Sequence, residues 1–300
     1  MANSEIEQLK KRISSLESEL SLREKDLVHY KAKLEEANET LETLTSNMEQ
    51  QIHILQAIQK HLTPTEFSHI PGFEFSFKFV PSKISGGDYF DLFEHDTKSR
   101  FGIIMTSASG YGTSALLLSI LLRLSGPLKT KKGGAPSEVI KSISEELRST
   151  MGAKDSCHLF YGQVDRGSFD FKYCIAGDMI VLHYKFHQGE LEKLEPAGGP
   201  ISKTKEPNLN SMNVQLNSRD RLVICSRGVL ETRNKEEFFG EERLFRTVMG
   251  VAKREVHEIR NEILFQIKTF LKKEEIQRDV TVLVMEVKDK VIKLARNTQS

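Results

Sequence analysis

The chain has 300 residues, of which 38% are hydrophobic and 28% are charged, and its formal net charge is +1. This composition is typical of a globular protein, and the small net charge argues against a general attraction to nucleic acid or to an anionic membrane. No stretch reaches the roughly 18 apolar residues of a membrane span, and the polar N-terminus is unlike a signal peptide. We therefore expect a cytoplasmic protein that binds neither nucleic acid nor a membrane, with its three cysteines as buried thiols.

Residues 4–62 carry one heptad repeat that neither proline nor glycine interrupts. Its a positions hold Ile6, Ile13, Leu20, Leu27, Leu34, Leu41, Met48, Leu55 and Leu62. Its d positions hold Leu9, Leu16, Arg23, Tyr30, Ala37, Leu44, Gln51 and Ile58. A period of 3.5 residues sustained over this length predicts a left-handed coiled coil. Flanking charges that attract across two helices, such as Glu5 with Lys10, favour a parallel homodimer, although each exposed pair contributes little.

Beyond Pro64 the hydrophobic pattern changes from helical to strand-like. Phenylalanine alternates with polar residues over 73–79, which predicts a half-buried strand. Further strands are predicted at 103–105, 158–164, 169–175, 180–186, 191–194, 222–225 and 281–287, and helices at 113–124, 137–151 and 255–270. Ser137 is the expected N-cap of the middle helix, and turn residues at 165–168 and 187–189 predict two hairpins. Hairpins combined with clustered helices indicate an α+β fold.

Four short motifs follow one another along this region. They are Ser85-Gly86-Gly87-Asp88, Ser107-Ala108-Ser109-Gly110-Tyr111-Gly112, Ser226-Arg227-Gly228-Val229 and Arg278-Asp279-Val280-Thr281. Their order and glycine spacing resemble the SpoIIE/RsbU branch of the metal-dependent protein phosphatases (PPM family), where they read GGD, DxSGxG, TDGV and DDxT. Residues 176–178, 219–222 and 239–244 resemble the AGH, GDRL and FGxxRL motifs of that branch, with Asp178 in the place of the histidine and Arg219 in the place of the first glycine of GDRL.

The resemblance covers roughly residues 55–287 and implies a PPM-phosphatase-like sandwich of two antiparallel β-sheets flanked by helices. Together with the heptad repeat it predicts three parts. Residues 1–62 form a coiled-coil dimerisation helix, residues 63–287 a SpoIIE/PPM-type phosphatase-like domain, and residues 288–300 a polar tail.

The chemistry of the family depends on aspartates that hold two Mn²⁺ or Mg²⁺ ions, which activate water for the hydrolysis of phosphoserine or phosphothreonine. Asp88 matches one of these aspartates, whereas Ser107, Arg227 and Arg278 stand where the family has three others. Serine is a poor ligand at neutral pH, and arginine stays protonated and offers no lone pair. The resemblance therefore predicts a degenerate site without a confident catalytic residue or a metal cofactor. We expect Asp88 to pair with one of the two arginines.

The leading hypothesis is a pseudophosphatase that acts as a regulatory binding protein in a partner-switching pathway. The resemblance implies a partner such as a STAS-domain antagonist, its kinase or an active phosphatase. The guanidinium groups of Arg227 and Arg278 could bind a phosphoserine, with the glycine-rich turn at Gly110 and Gly112 as a further possible phosphate contact.

Two alternatives remain open from the sequence. The chain could be an active Ser/Thr phosphatase with Mn or Mg in a rearranged site. The ligands of that site would be Asp88, Asp91, Asp178 and Asp279. Alternatively, the coiled coil could be the functional part, with the domain as a passive cap.

Overall fold

The computed structural model describes residues 2–62, 69–82, 87–96, 99–109, 121, 134–235 and 237–288. Contacts divide the chain into two units, Met1–Ile54 and Leu55–Ser300. Within the described ranges, no helix combines the length and the apolar character that a transmembrane span requires.

A single long helix, α1 (Ala2–Leu62), accounts for the first unit and continues past it. Its heptad side chains from Ile6 to Gln51 lie in water in the single chain; Leu27, for example, is 69% exposed. A helix with a long apolar stripe is stable when another surface covers that stripe. The helix is consistent with a coiled coil, and the parallel homodimer stays a prediction.

The second unit contains two large antiparallel sheets. The strands are β1 (Phe73–Val80), β2 (Asp88–Glu94), β3 (Arg100–Ser109), β4 (Ser156–Asp165), β5 (Asp170–Ala176), β6 (Ile180–Lys185), β7 (Glu190–Lys193), β8 (Ile201–Ser202), β9 (Met212–Gln215), β10 (Arg221–Cys225), β11 (Arg233–Asn234), β12 (Glu237–Phe238) and β13 (Val280–Val287). The first sheet has the order β1-β13-β10-β6-β7, and the second has the order β2-β3-β4-β5-β9 with β8 paired to β4. The short strands β11 and β12 form a separate hairpin.

Four further helices accompany these sheets in the described part of the chain. They are α2 (Pro136–Thr150), α3 (Arg227–Glu231), α4 (Gly240–Val251) and α5 (Val256–Leu271). Side chains alternate between the two faces of a strand, so each sheet has one face toward the other sheet and one toward helices. The facing sides bury residues such as Phe160 and Leu283 in a shared core. Helix α2 covers the outer face of the second sheet, and α4 and α5 cover that of the first.

This architecture confirms the predicted sandwich of two antiparallel sheets flanked by helices. Both predicted hairpins are present, β4–β5 and β6–β7. In the first, the Asp165 carboxylate accepts the backbone N–H groups of Gly167 and Ser168 at 2.9 and 3.0 Å. Strand β2 and helix α4 were not predicted as elements, because their sequences were considered only as motifs.

Two details differ from the sequence expectations, and one falls outside the described residues. Helix α2 begins at Pro136 rather than after an N-cap at Ser137, because the fixed φ of proline suits the first helical position. Lys288 was assigned to the tail, but it forms ion pairs with Glu74 and Glu286 in the domain. The helix predicted at 113–124 lies outside the described residues except for Leu121, which is helical.

Candidate functional site

The described residues of the four motifs meet at one end of the sandwich, between the two sheets. Asp88 begins β2 and lies directly opposite Ser107 of β3 in the strand register. From the other sheet, Ser226 follows β10 and Thr281 lies at the start of β13. By strand alternation, Asp88 shares the core-facing side of its strand with Phe90. These residues from four separate segments therefore form a polar group at one end of an otherwise apolar core.

Asp88 is the centre of a buried group that we call the acidic cluster: Asp88, Asp279, Ser107, Ser226 and Thr281. Asp88 is only 4% exposed, and its Oδ2 accepts the hydroxyl of Thr281 at 2.8 Å. Burial and the neighbouring Asp279 carboxylate raise the pKa of Asp88 to about 7, and the hydrogen bonds from the three hydroxyl side chains oppose this rise. A substantial fraction of Asp88 is therefore protonated at neutral pH.

Asp279 anchors the chain around β2. It is 2% exposed, and its Oδ1 accepts the backbone N–H of Ser82 at 2.8 Å. Its Oδ2 accepts the N–H groups of Gly87 and Asp88 at 2.9 and 3.2 Å. These bonds satisfy buried donors at the start of β2, so the carboxylate has a structural role in joining the two sheets.

Glu231 joins Arg227 and Arg278, the arginines of the third and fourth motifs. Its Oε1 pairs with Nε of Arg227, and its Oε2 pairs with Nε of Arg278 at 2.6 Å. Glu231 is the last residue of the single-turn helix α3 that Arg227 begins, and the i, i+4 spacing places both side chains on one face. The side chains of Arg227, Arg278 and Glu231 are 26%, 34% and 23% exposed. Water therefore reaches this group, which we call the arginine pair with its Glu231 bridge.

His158 lies beside the arginine pair in strand β4 and is 1% exposed. Its Nδ1 accepts the backbone N–H of Asp178 at 2.9 Å. Burial, followed by the charge of Arg227, lowers the pKa of His158 to about 4, so the ring is neutral at neutral pH. A neutral ring whose Nδ1 accepts carries its proton on Nε2. The Nη1 of Arg227 lies 2.5 Å from that Nε2. Because both nitrogens carry protons, this contact is not a hydrogen bond, and we attribute the position of the Arg227 side chain to its ion pair with Glu231.

Not every predicted site residue lies in this group. Asp91 belongs to the face of β2 that points away from Asp88, where its Oδ2 accepts the hydroxyl of Tyr89 at 3.2 Å. Asp178 lies at the rim with its side chain 70% exposed. Gly110 and Gly112 fall outside the described residues.

The expected pairing of Asp88 with an arginine is wrong within the described residues, because both arginines pair with Glu231 instead. Glu231 and the neighbouring His158 were missed as site residues. The i, i+4 spacing of Arg227 and Glu231 was a usable signal for one of the two ion pairs. No local sequence signal predicts the ion pair of Glu231 with Arg278, because 46 residues lie between them.

Comparisons with known proteins agree with this fold. The sequence model of the family named stage II sporulation protein E (SpoIIE) matches residues 97–288. No curated protein sequence matches the chain. Among solved structures, the PP2C domain of SiaA from Pseudomonas aeruginosa is similar, with a TM-score of 0.67 and 16% identity over 81% of this chain and 98% of that one.

Two further solved structures have the same fold. The RsbU and RsbW domains of a Mycobacterium tuberculosis protein give a TM-score of 0.64 and 20% identity over 79% of this chain and 69% of that one. The PP2C phosphatase domain of Bacillus subtilis SpoIIE, with a fragment of its regulatory domain, gives 0.62 and 17% over 74% of this chain and 64% of that one. Because the family match spans more than half of the sequence, the chain belongs to the SpoIIE family and has its PP2C-type phosphatase domain.

Proposed function

We propose that this protein is a catalytically degenerate phosphatase of the SpoIIE/RsbU type, which acts as a regulatory binding protein in a partner-switching pathway. Its partner is a phosphoserine- or phosphothreonine-containing protein, such as a STAS-domain antagonist. The partner is held without turnover, and Arg227 and Arg278 contact its phosphoryl group.

The observation that carries this proposal is the convergence of the two arginines on one carboxylate. Arg227 and Arg278 come from separate segments, yet their Nε atoms bind the two oxygens of Glu231. Two guanidinium groups so placed can also receive the oxygens of a phosphoryl group, because arginine binds carboxylate and phosphate with the same planar donor geometry. Their partial exposure leaves this anion site accessible from solvent.

The possible metal ligands around Asp88 do not fit a pair of divalent ions. This supports a protein that binds its phosphorylated partner without hydrolysing it. Such ions need several oxygen ligands, mainly ionised carboxylates. Both oxygens of Asp279 already accept backbone N–H groups, which leaves fewer lone pairs of this carboxylate for a metal ion. Within the described residues, no group of three or more His, Cys, Asp or Glu side chains has the geometry of a metal site.

Removal of both guanidinium groups tests the binding function. We expect the double variant Arg227→Ala, Arg278→Ala to lose at least about tenfold in affinity for a phosphoserine peptide, because two charge-assisted contacts disappear. A serine peptide of the same sequence should bind the parent weakly. The matched control is Arg246→Ala, Arg254→Ala, which removes two exposed arginines of helix α4 and the turn after it. Equal phosphopeptide affinity of the parent and the site variant would refute the proposal.

A second candidate is an active metal-dependent phosphatase with a rearranged site. It is favoured by the closeness of two buried carboxylates, since Asp279 accepts the N–H of Asp88 and raises its pKa. A bound cation would relieve this repulsion. Calorimetry with Mn²⁺, together with phosphate release from a phosphoprotein by the same sample, separates the candidates. Manganese-dependent release that Asp88→Asn abolishes would establish the active enzyme.

The homodimer belongs to the same proposal and has a matched test in helix α1. Leu27 and Val28 are adjacent and equally exposed in the single chain, at 69% and 71%, but only Leu27 occupies a heptad core position. We expect Leu27→Asp to convert a dimer into a monomer or a weakened dimer in light scattering at micromolar concentration. Val28→Asp should leave the dimer intact. A monomeric parent protein would contradict the coiled-coil assignment.

A further inference from the structure

The two guanidinium groups already hold an anion, and that anion is part of the chain. Glu231 binds the Nε atom of each arginine with a different oxygen of its carboxylate. In a guanidinium group, Nε belongs to the edge that takes part in paired contacts with phosphate oxygens. A phosphoryl group that uses the same edges of Arg227 and Arg278 must therefore take the place of the Glu231 carboxylate.

We propose that Glu231 is an internal competitor of the phosphoryl ligand, which closes the arginine pair until a phosphorylated partner displaces it. This inference rests on the proposed phosphate-binding function and adds the regulation of that site. Because the ligand must displace a carboxylate, the site favours a ligand with more negative charge than a carboxylate. We therefore expect it to prefer a phosphoserine loop to an acidic peptide.

Charge supports the competition. The two arginines carry +2, and Glu231 reduces this to +1, while His158 is neutral beside them. A phosphomonoester carries between about −1.5 and −2 near pH 7, so it matches the arginine pair without Glu231 better than it matches the three residues together. With Glu231 in place, the approaching dianion meets a like charge within the same cluster.

The position of Glu231 allows it to leave. It is the last residue of the five-residue helix α3, and its side chain is 23% exposed. Ion pairs that water reaches are weak, because solvent replaces the lost contacts. Rotation of the Glu231 side chain toward solvent therefore opens the arginine pair without unfolding the strands on either side. Asp279 differs, since its carboxylate satisfies three buried backbone donors.

The test is to titrate the full-length protein with O-phosphoserine and to measure the affinity by isothermal titration calorimetry. We expect Glu231→Gln to bind about tenfold more tightly than the parent, because one like charge near the phosphoryl group is removed while the shape is kept. The matched control is Glu237→Gln, which neutralises another glutamate, one that pairs with Arg243. This control should bind as the parent does. Adding Arg227→Ala and Arg278→Ala to Glu231→Gln should remove the gain.

The outcomes separate this inference from the proposed function. Parent binding that depends on the arginines, combined with equal or weaker binding by Glu231→Gln, overturns the competition and leaves the binding function standing. No binding of O-phosphoserine by the parent or by Glu231→Gln overturns both. If circular dichroism shows that Glu231→Gln is unfolded, Glu231→Asp decides instead. The shorter side chain withdraws the carboxylate from the arginines, so affinity above that of the parent supports the competition, and unchanged affinity overturns it.

Discussion

The acidic cluster and the arginine pair are neighbours in sequence but differ in how their charges are satisfied. Ser226 and Asp279 are buried in the cluster, whereas the adjacent Arg227 and Arg278 reach water. In the cluster, hydroxyl and backbone groups surround the carboxylates. In the arginine pair, the Glu231 carboxylate pairs with both guanidinium groups and reduces their charge from +2 to +1. One step along the chain thus separates a buried, hydrogen-bonded centre from a group of ion pairs that water partly reaches.

This difference leads us to expect that the two parts respond differently to substitution. Buried hydrogen-bonded charges are costly to disturb, because breaking one leaves an uncompensated group in a medium of low dielectric constant. Ion pairs that water partly reaches, such as those of Glu231, need less free energy to rearrange than fully buried ones. We therefore expect substitutions in the acidic cluster to change the stability of the domain, and substitutions in the arginine pair to change binding.

The largest effect is expected where the two parts touch. A Cβ atom added to Gly228 of helix α3 would lie 1.9 Å from the carbonyl oxygen of Asp279, and backbone cannot easily yield. Gly228→Ala should lower the free energy of unfolding by about 3 kcal/mol or more, measured by urea denaturation. The control is Gly250→Ala in helix α4, where nothing lies within 4 Å of the added atom. That variant should be unchanged or slightly more stable.

The second prediction concerns the anchor of the cluster. Asp279→Asn turns one acceptor oxygen into an NH₂ group that faces backbone donors, so at least one buried N–H loses its partner. We expect a loss of about 3 kcal/mol in the free energy of unfolding. Asp178→Asn, at a side chain that is 70% exposed, should stay within about 0.5 kcal/mol of the parent. Equal stabilities of the two variants would contradict the structural role of Asp279.

The third prediction uses the pH dependence of stability. The pKa of Asp88 is raised from 3.8 to about 7 in the folded protein, so the folded state holds a proton that the unfolded state releases. The free energy of unfolding contributed by this group therefore falls as pH rises from about 4 to about 7 and is constant above. Asp88→Asn should be more stable than the parent by about 2 kcal/mol at pH 8, and this advantage should shrink toward pH 5 in denaturation curves.

His158 provides the opposite slope in the same experiment. Its pKa is lowered from 6.5 to about 4, so the unfolded state binds the proton more readily. Its contribution to stability is complete above pH 6.5 and is lost as pH falls toward 4. The free energy of unfolding of His158→Asn should therefore fall furthest below that of the parent above pH 6.5, and the difference should be smaller at pH 5. A pH-independent difference for both variants would contradict the assigned protonation states.

The smallest stability effect is expected at the bridge between the arginines. Glu231→Gln should cost less than about 1 kcal/mol in the free energy of unfolding, because both ion pairs are partly exposed, although the same change is expected to alter phosphate affinity. Urea denaturation of Glu231→Gln and Asp279→Asn under the same conditions compares the two losses of stability directly. A loss as large as that of Asp279→Asn would show that the bridge is part of the buried, hydrogen-bonded centre.

Much of the fold could be predicted because its signals are local. Alternating phenylalanines predicted β1, and turn residues predicted the β4–β5 and β6–β7 hairpins. The sandwich was implied by the resemblance of the ordered motifs to the SpoIIE/RsbU branch. The opposite orientation of Asp88 and Asp91 also follows from strand alternation, since an odd separation places two side chains on different faces. This consequence was missed because β2 was not predicted as a strand.

The heptad helix, the strand pattern and the arginines within the third and fourth motifs could be recognised in the sequence, because they depend on residue type and spacing along the chain. The folded structure was needed to show which charges meet. It placed Arg278 against Glu231, enclosed Asp279 among the backbone donors before β2, and set His158 beside Arg227. Such contacts join residues that are far apart in sequence, and their energies depend on burial and distance, which the folded sheets alone establish.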